Sequence, residues 1–230
     1  MVRPRLILSC EHARAALPEG LDLGLEAAAL ASHIAWDEGA LELALDLARR
    51  TGAPLFEGEH SRLLVDLNRR EEDPGVIPER AFGVLVPGNR GLSAQEREAR
   101  LARYHRPYRA RIVQAVELRD PCLHLSLHSF TPTLHGQVRT VQVGVLYDPA
   151  RAEEQRWADR LREALRAASL DARFNEPYLG TDEGLTTWLR ERFPDPRYAG
   201  LELELHPAVD RALVARICAA VLPSSPWSPP

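Results

Sequence analysis

The order of elements predicts an α/β fold: a single domain on a mostly parallel, mixed sheet flanked by helices on both faces. Three observations predict it. Stretches with period-two apolar spacing alternate along the chain with stretches of helical period. The 230 residues suffice for one large domain, and no internal repeat divides them. Several strand stretches end in histidine, carboxylate, arginine or asparagine, and open α/β sheets gather their function at the carboxyl ends of strands.

Residues 5–9 read as the first strand. Helical stretches follow at 24–34 and 38–50, the second with Leu41, Leu45 and Ala48 on one face and Thr51-Gly52 as its stop. Residues 53–57 and 62–67 are strand candidates. Segment 70–92 is rich in charge, proline and glycine, and a loop of that length in a compact domain points to function. Ser93 with Glu96 makes a capping box for a helix to about 118, which Pro107 must kink or split, gathering Tyr104, His105 and Tyr108 at the bend. Next come strands at 123–128 and 140–147, a helix at 151–168, a short strand near 171–174, and a helix at 182–193 capped by Thr181 or Asp182. Strand 199–205 and helix 208–221 complete a domain of residues 1–222. The tail 223–230, with four prolines and three serines, reads as disordered.

Composition excludes several classes. With 29 basic against 33 acidic groups the net charge is −4, so no basic field invites nucleic acid. All 29 basic residues are arginine, which rules out a lysine nucleophile or Schiff base. Cys10, Cys122 and Cys218 are far apart and form neither a metal knuckle nor a disulfide framework. A reducing compartment follows as the expectation, with Cys10 and Cys122 as packing residues. The apolar run Leu6–Leu8 is too short for a signal peptide and no stretch approaches a membrane span, so a cytoplasmic protein is expected. The oligomeric state stays open.

The chemistry sits in a few segments. Strand one runs into Glu11 and His12, strand 123–128 into His128 and Ser129, and the last strand through Glu202 and Glu204 to His206. Two histidines and a carboxylate from separate strands are a recipe for catalytic zinc, which takes three protein ligands and lowers the pKa of water. A further carboxylate must then move the proton. Glu204 suits that role, though Glu202 and His206 project to the same side and period alone does not choose among them. Arg62 and Asn68-Arg69 bracket 62–67, and guanidinium groups beside a side-chain amide can grip a carboxylate. The alternation LHLSLH and LELELH is also what a half-exposed antiparallel strand shows. Ser129 lacks a GxSxG elbow, and no phosphate-binding loop occurs.

Nine segments in order resemble the N-formylglutamate amidohydrolase family, whose members look like relatives of the zinc carboxypeptidases. They are SCEHARAALP at 9–18, HIAWDEGA at 33–40, SRLLVDLNR at 61–69, GVLVPGN at 83–89, YHRPY at 104–108, LSLHSFTP at 125–132, QVGVLYD at 142–148, NEPY at 175–178 and GLELE at 200–204. The resemblance implies a phosphorylase/hydrolase-like α/β domain and hydrolysis of an N-acyl amino acid, foremost N-formyl-L-glutamate to formate and glutamate, as in histidine catabolism. It implies one Zn2+, or another divalent ion, on His12, Asp37 and His128, with Glu11 as the alternative third ligand. Glu204 falls where such enzymes have their general base. Asn68 and Arg69 match a pair that holds a substrate carboxylate, and Arg62 and Arg139 would complete an anionic pocket suited to a dicarboxylate. His105 either lines the site or packs at the bend. The chain departs from the family after Glu204, with Leu205-His206-Pro207-Ala208, and again at Thr187-Trp188. Alternatives are a deacylase or peptidase for another N-acyl amino acid, or a carboxylate-binding protein that has lost catalysis.

Overall fold

A six-stranded sheet in the order β2-β1-β5-β10-β8-β9 organises the chain in the computed structural model, which describes residues 4–134 and 136–224. The elements are β1 (Arg5–Cys10), α1 (Ala27–Leu30), α2 (Ala40–Thr51), β2 (Leu55–Glu57), β3 (Arg80–Ala81), β4 (Val84–Leu85), α3 (Ala94–Arg100), α4 (Arg106–Glu117), β5 (Cys122–Ser129), β6 (Thr133–Leu134) and β7 (Gln137–Val138). Then come β8 (Val143–Leu146), α5 (Ala152–Ala167), β9 (Ala172–Phe174), α6 (Leu185–Arg190), β10 (Tyr198–Leu205) and α7 (Arg211–Val221). Every pairing in the sheet is parallel except β8 with β10. No helix among the described residues is long and apolar enough to cross a membrane. Most of the 223–230 tail lies outside the described residues.

The two faces of the sheet differ in chemistry because the strands alternate. Leu6, Leu8 and Cys10, then Leu123, Leu125 and Leu127, then Leu201, Leu203 and Leu205 all join one apolar cluster with α2, α5 and α7. The opposite face, under α4 and α6, carries Ser9, His124, Ser126, His128 and Glu204, all buried. The alternation in 123–128 and 199–205 therefore marks a buried polar row in central parallel strands, not a water-exposed face. Near its amino end the row is structural. His124 bonds Ser9 Oγ at 2.7 Å and Tyr198 Oη at 2.8 Å, and burial pushes its pKa down to about 4. Cys10, Cys122 and Cys218 are buried free thiols.

Four sequence expectations need correction. The candidate strand 62–67 is a chain of turns. Ser61 Oγ accepts from Leu63 N–H at 3.2 Å and Asp66 Oδ1 accepts from Asn68 N–H at 3.0 Å, and these side-chain bonds take the place of a ladder. Leu63, Leu64, Val65 and Leu67 are all buried, in three different clusters, so period two had no exposed face to report. The helix expected at 24–34 shrinks to Ala27–Leu30 because it has no capping side chain and buries no residue. The helix expected at 182–193 is Leu185–Arg190, and neither Thr181 nor Asp182 caps it. Instead Asn68 Oδ1 accepts from Leu185 N–H at 2.7 Å, a cap from a distant part of the chain. The last helix starts at Arg211, capped by Asp210, and not at 208.

The capping box at Ser93–Glu96 is present. Pro107 splits the long helix as expected: Leu101–His105 form a π-helical turn and α4 begins at Arg106. Segment 70–92 folds into two short 3-10 turns around the β3–β4 hairpin.

Candidate active site

At the carboxyl edge of β1, β5 and β10, the polar row ends in a cluster of carboxylates and histidines. His12 follows β1, His128 is the last residue but one of β5, and Glu204 lies opposite His128 in the β5–β10 register. Asp37 comes from the loop before α2, tied to the same place by its own N–H bonding His12 O at 2.9 Å. The atoms that His12, Asp37 and His128 can offer a metal ion all lie within 4.8 Å of one another.

Each imidazole presents Nδ1 to Asp37 and is held from behind. Asp37 Oδ2 is 2.8 Å from His128 Nδ1 and 3.4 Å from His12 Nδ1, while its Oδ1 accepts from Arg62. Behind His12, Nε2 donates to Asp66 Oδ1 at 2.7 Å. Behind His128, Nε2 lies 2.9 Å from Ser126 Oγ and 3.1 Å from Glu11 Oε2. Glu11 in turn accepts from Ser126 at 2.6 Å and from Tyr108 at 2.9 Å. A ring whose rear nitrogen is fixed by a carboxylate has its tautomer and its ligating nitrogen chosen for it. Both rings thus direct Nδ1 to one point.

The electrostatics favour a cation at that point. Four buried carboxylates, Glu11, Asp37, Asp66 and Glu204, gather there against two guanidinium groups, Arg62 on Asp37 and buried Arg109 near Glu11 and Asp66. Burial alone would raise Glu11, Asp37 and Asp66. Neighbouring charges override it: His128 lowers Glu11, Arg62 and His12 lower Asp37, and His12 brings Asp66 to about 2. The imidazoles move the other way, against their own burial, because Asp37 with Glu11 stands by His128 and Asp66 with Asp37 by His12. Glu204 is the exception among the acids. Burial, with the charges of Asp37 and Glu202 added, pushes it up to about 8, and its Oε2 has no hydrogen-bond partner among the described residues. Glu202, which the sequence did not separate from Glu204, accepts from Thr186. His206 lies further out, its ring 5.7 Å from that of Phe130.

The remaining sequence-predicted residues are spread around this centre. Arg62 and Arg69 do not meet: Arg62 sits on Asp37, and Arg69 on Asp73 at 2.6 Å with Asp66 at 3.6 Å. Asn68 lies between them in the turn. Arg139 donates to Tyr178 Oη at 2.9 Å beside the cavity that opens next to Asp37. His105 is buried and bonds Arg69 O at 2.7 Å, and Arg109 Nη2 donates to the same carbonyl at 2.6 Å, so both shape the turn. Sequence reasoning missed Asp66, Tyr108 and Ser126. Asp66, two residues before Asn68 in a segment already singled out, could have been found had that segment not been read as a strand. For an ion held by His12, Asp37 and His128, Asp66→Asn should weaken binding by about 10–100-fold, because it loosens His12 without removing a ligating atom. Titration against a zinc buffer measures it.

Buried histidines and carboxylates gathered at the carboxyl edge of a mostly parallel sheet are placed where α/β enzymes hold their active sites. More narrowly, the chain belongs to the N-formylglutamate amidohydrolase family, whose model matches residues 4–209, which makes it an enzyme of amide hydrolysis. It is similar to the gene product Atu2144 from Agrobacterium tumefaciens, with 32% identity over 95% of this chain and 88% of that one and a TM-score of 0.83. It also resembles the N-formylglutamate amidohydrolase from Ralstonia eutropha JMP134. There identity is 17%, coverage is 95% of this chain and 91% of that one, and the TM-score is 0.76, a likeness of fold. No curated protein matches the sequence.

Proposed function

We propose that the protein is a zinc-dependent amidohydrolase that cleaves the amide of an N-acyl amino acid, with N-formyl-L-glutamate, giving formate and glutamate, among its substrates. The observation that carries this reading is the pairing of a convergent His12–Asp37–His128 donor set with a buried glutamate, Glu204, whose Oε2 has no hydrogen-bond partner among the described residues. Two imidazole nitrogens and a carboxylate oxygen suit zinc, and another divalent ion is an alternative. Held by those three residues, zinc would polarise the amide carbonyl and make water acidic near neutral pH.

The chain's own residues do the rest. Glu204 accepts the proton of the attacking water at Oε2 and delivers it to the departing amine nitrogen. Burial raises the carboxyl of Glu204 to about 8, which suits the proton-donating half of the cycle, and the charge of an ion held by His12, Asp37 and His128 would lower it for the accepting half. Asp66 and Glu11 keep His12 and His128 aimed. Asn68 and Arg69 hold the substrate's carboxylate on one side of the centre, and Arg62 and Arg139 supply a cationic edge to the pocket on the other. Three buried, unpaired cysteines fit a reducing compartment such as the cytoplasm, and a role in histidine catabolism fits the formylated substrate.

Metal analysis of the purified protein, together with a formate-release assay on N-formyl-L-glutamate and other N-acyl amino acids, tests the reading. Absence of bound metal, with no turnover after zinc or cobalt is added, sinks it. Arg69→Ala should raise KM by about tenfold with metal content unchanged, since one charge-assisted hydrogen bond is lost. An unchanged KM and kcat would remove Arg69 from the binding site.

A further inference from the structure

The cavity beside Asp37 and Arg62 holds about 360 Å3, within the range of about 300–1,000 Å3 usual for small-molecule sites. Its charge and its walls say what it suits. Of the cations near it, Arg62 is engaged by Asp37. Arg139 has no carboxylate partner among the described residues. It reaches the cavity wall through Tyr178, over whose ring its guanidinium stands at 4.8 Å. The wall carries four aromatic rings, Trp36, Phe82, Phe130 and Tyr178, and the carboxylates of Asp37 and Glu38, which disfavour a second carboxylate on a ligand.

Phe82 is the residue least explained by the fold. Arg80 pairs with Leu85 and Ala81 with Val84, so Phe82-Gly83 is a two-residue hairpin turn. Both residues have left-handed backbone, φ +48° and +83°. Such a turn favours Asn-Gly, and a bulky side chain at a positive φ is strained. Nor does the core require Phe82: it belongs to no apolar cluster and is 51% exposed. Its ring instead lies edge-on to His33, 5.2 Å between centroids, at the cavity rim. Strained, exposed apolar residues kept against local preference mark functional positions.

We infer that this cavity is a subsite for the apolar, preferentially aromatic, side chain of an N-acyl amino acid with a single carboxylate, and that Phe82 is the residue that selects it. The inference rests on the hydrolase reading and narrows its substrate class: glutamate, with a second carboxylate, is accepted less well. The test compares kcat/KM for N-formyl-L-phenylalanine, N-formyl-L-alanine and N-formyl-L-glutamate, in the zinc-loaded protein and in Phe82→Asn.

The phenylalanine derivative should exceed both others by about tenfold or more, the size expected for sequestering a ring from water. In Phe82→Asn its advantage over alanine should shrink by about fivefold or more, with Tm equal or raised by about 1–3 °C because asparagine suits the turn. A merely structural Phe82 would change Tm and leave the ratio alone. Glutamate or alanine equal to or better than phenylalanine overturns the subsite, and an unchanged ratio in Phe82→Asn removes Phe82 from it. If none of the three is hydrolysed, thermal shifts decide: the subsite stands only if N-formyl-L-phenylalanine raises Tm more than N-formyl-L-glutamate.

Discussion

Glu204→Gln should leave the metal in place and lower kcat by about 10²–10⁴, the span of general acid–base catalysis by one positioned group. Glu204 is buried, lies opposite His128 across the β5–β10 ladder, and has an oxygen with no hydrogen-bond partner among the described residues. Glutamine has the same shape but can neither take a proton from water nor give one to an amine. Because burial already favours the neutral form of Glu204, the amide should also cost little stability, and Tm should stay within a few degrees. Metal analysis beside steady-state kinetics on an N-formyl amino acid reads both parts. A fall in kcat of less than tenfold with metal retained would falsify the assignment of Glu204 as the proton carrier. The neighbouring Glu202, already hydrogen-bonded by Thr186, is then the acid to examine.

Why the structure separates Glu204 from Glu202 and His206, when period leaves the three level, is a matter of range. Along LELELH the side chains of Glu202, Glu204 and His206 share a face, and local period contains nothing further. What separates them is α6, which brings Thr186 to Glu202 and leaves Glu204 alone. By contrast the strand ends that carry His12 and His128 were legible, since alternation fixes which residues share a face and topology fixes which strand ends meet. The capping box at Ser93 and the break at Pro107 were legible for the same reason, being set by residues within a few positions. Segment 61–69 failed because Ser61 and Asp66 bond the backbone two residues on, and hydropathy does not register such bonds. The same misreading hid Asp66. It also made Arg62 and Arg69 two ends of a single grip, when in the folded chain they stand on Asp37 and Asp66, at opposite nitrogens of His12.

Asp37→Asn should behave unlike Glu204→Gln, losing metal and turnover together. One carboxylate here meets three partners: Oδ2 faces Nδ1 of both His12 and His128, and Oδ1 takes Arg62. An asparagine must turn its amide N–H2 either toward the two imidazoles, where it donates instead of ligating, or toward Arg62, where donor meets donor. Removing the charge as well weakens any cation in the centre, so metal affinity should fall by more than about a hundredfold, beyond the effect of an outer partner. Leaving Arg62 with a poorer partner costs roughly 1–3 kcal/mol, or a few degrees in Tm. The fold should survive that, because the loop also holds through Asp37 N–H to His12 O and Ala40 N–H to Asp37 O. Retained folding by circular dichroism, metal well below one ion per chain, and partial recovery of turnover in excess zinc form the expected set. Full metal occupancy in this variant would place the third ligand elsewhere. Glu11, 3.1 Å from His128 Nε2, is the next carboxylate, and His128 would then have to ligate through the opposite nitrogen.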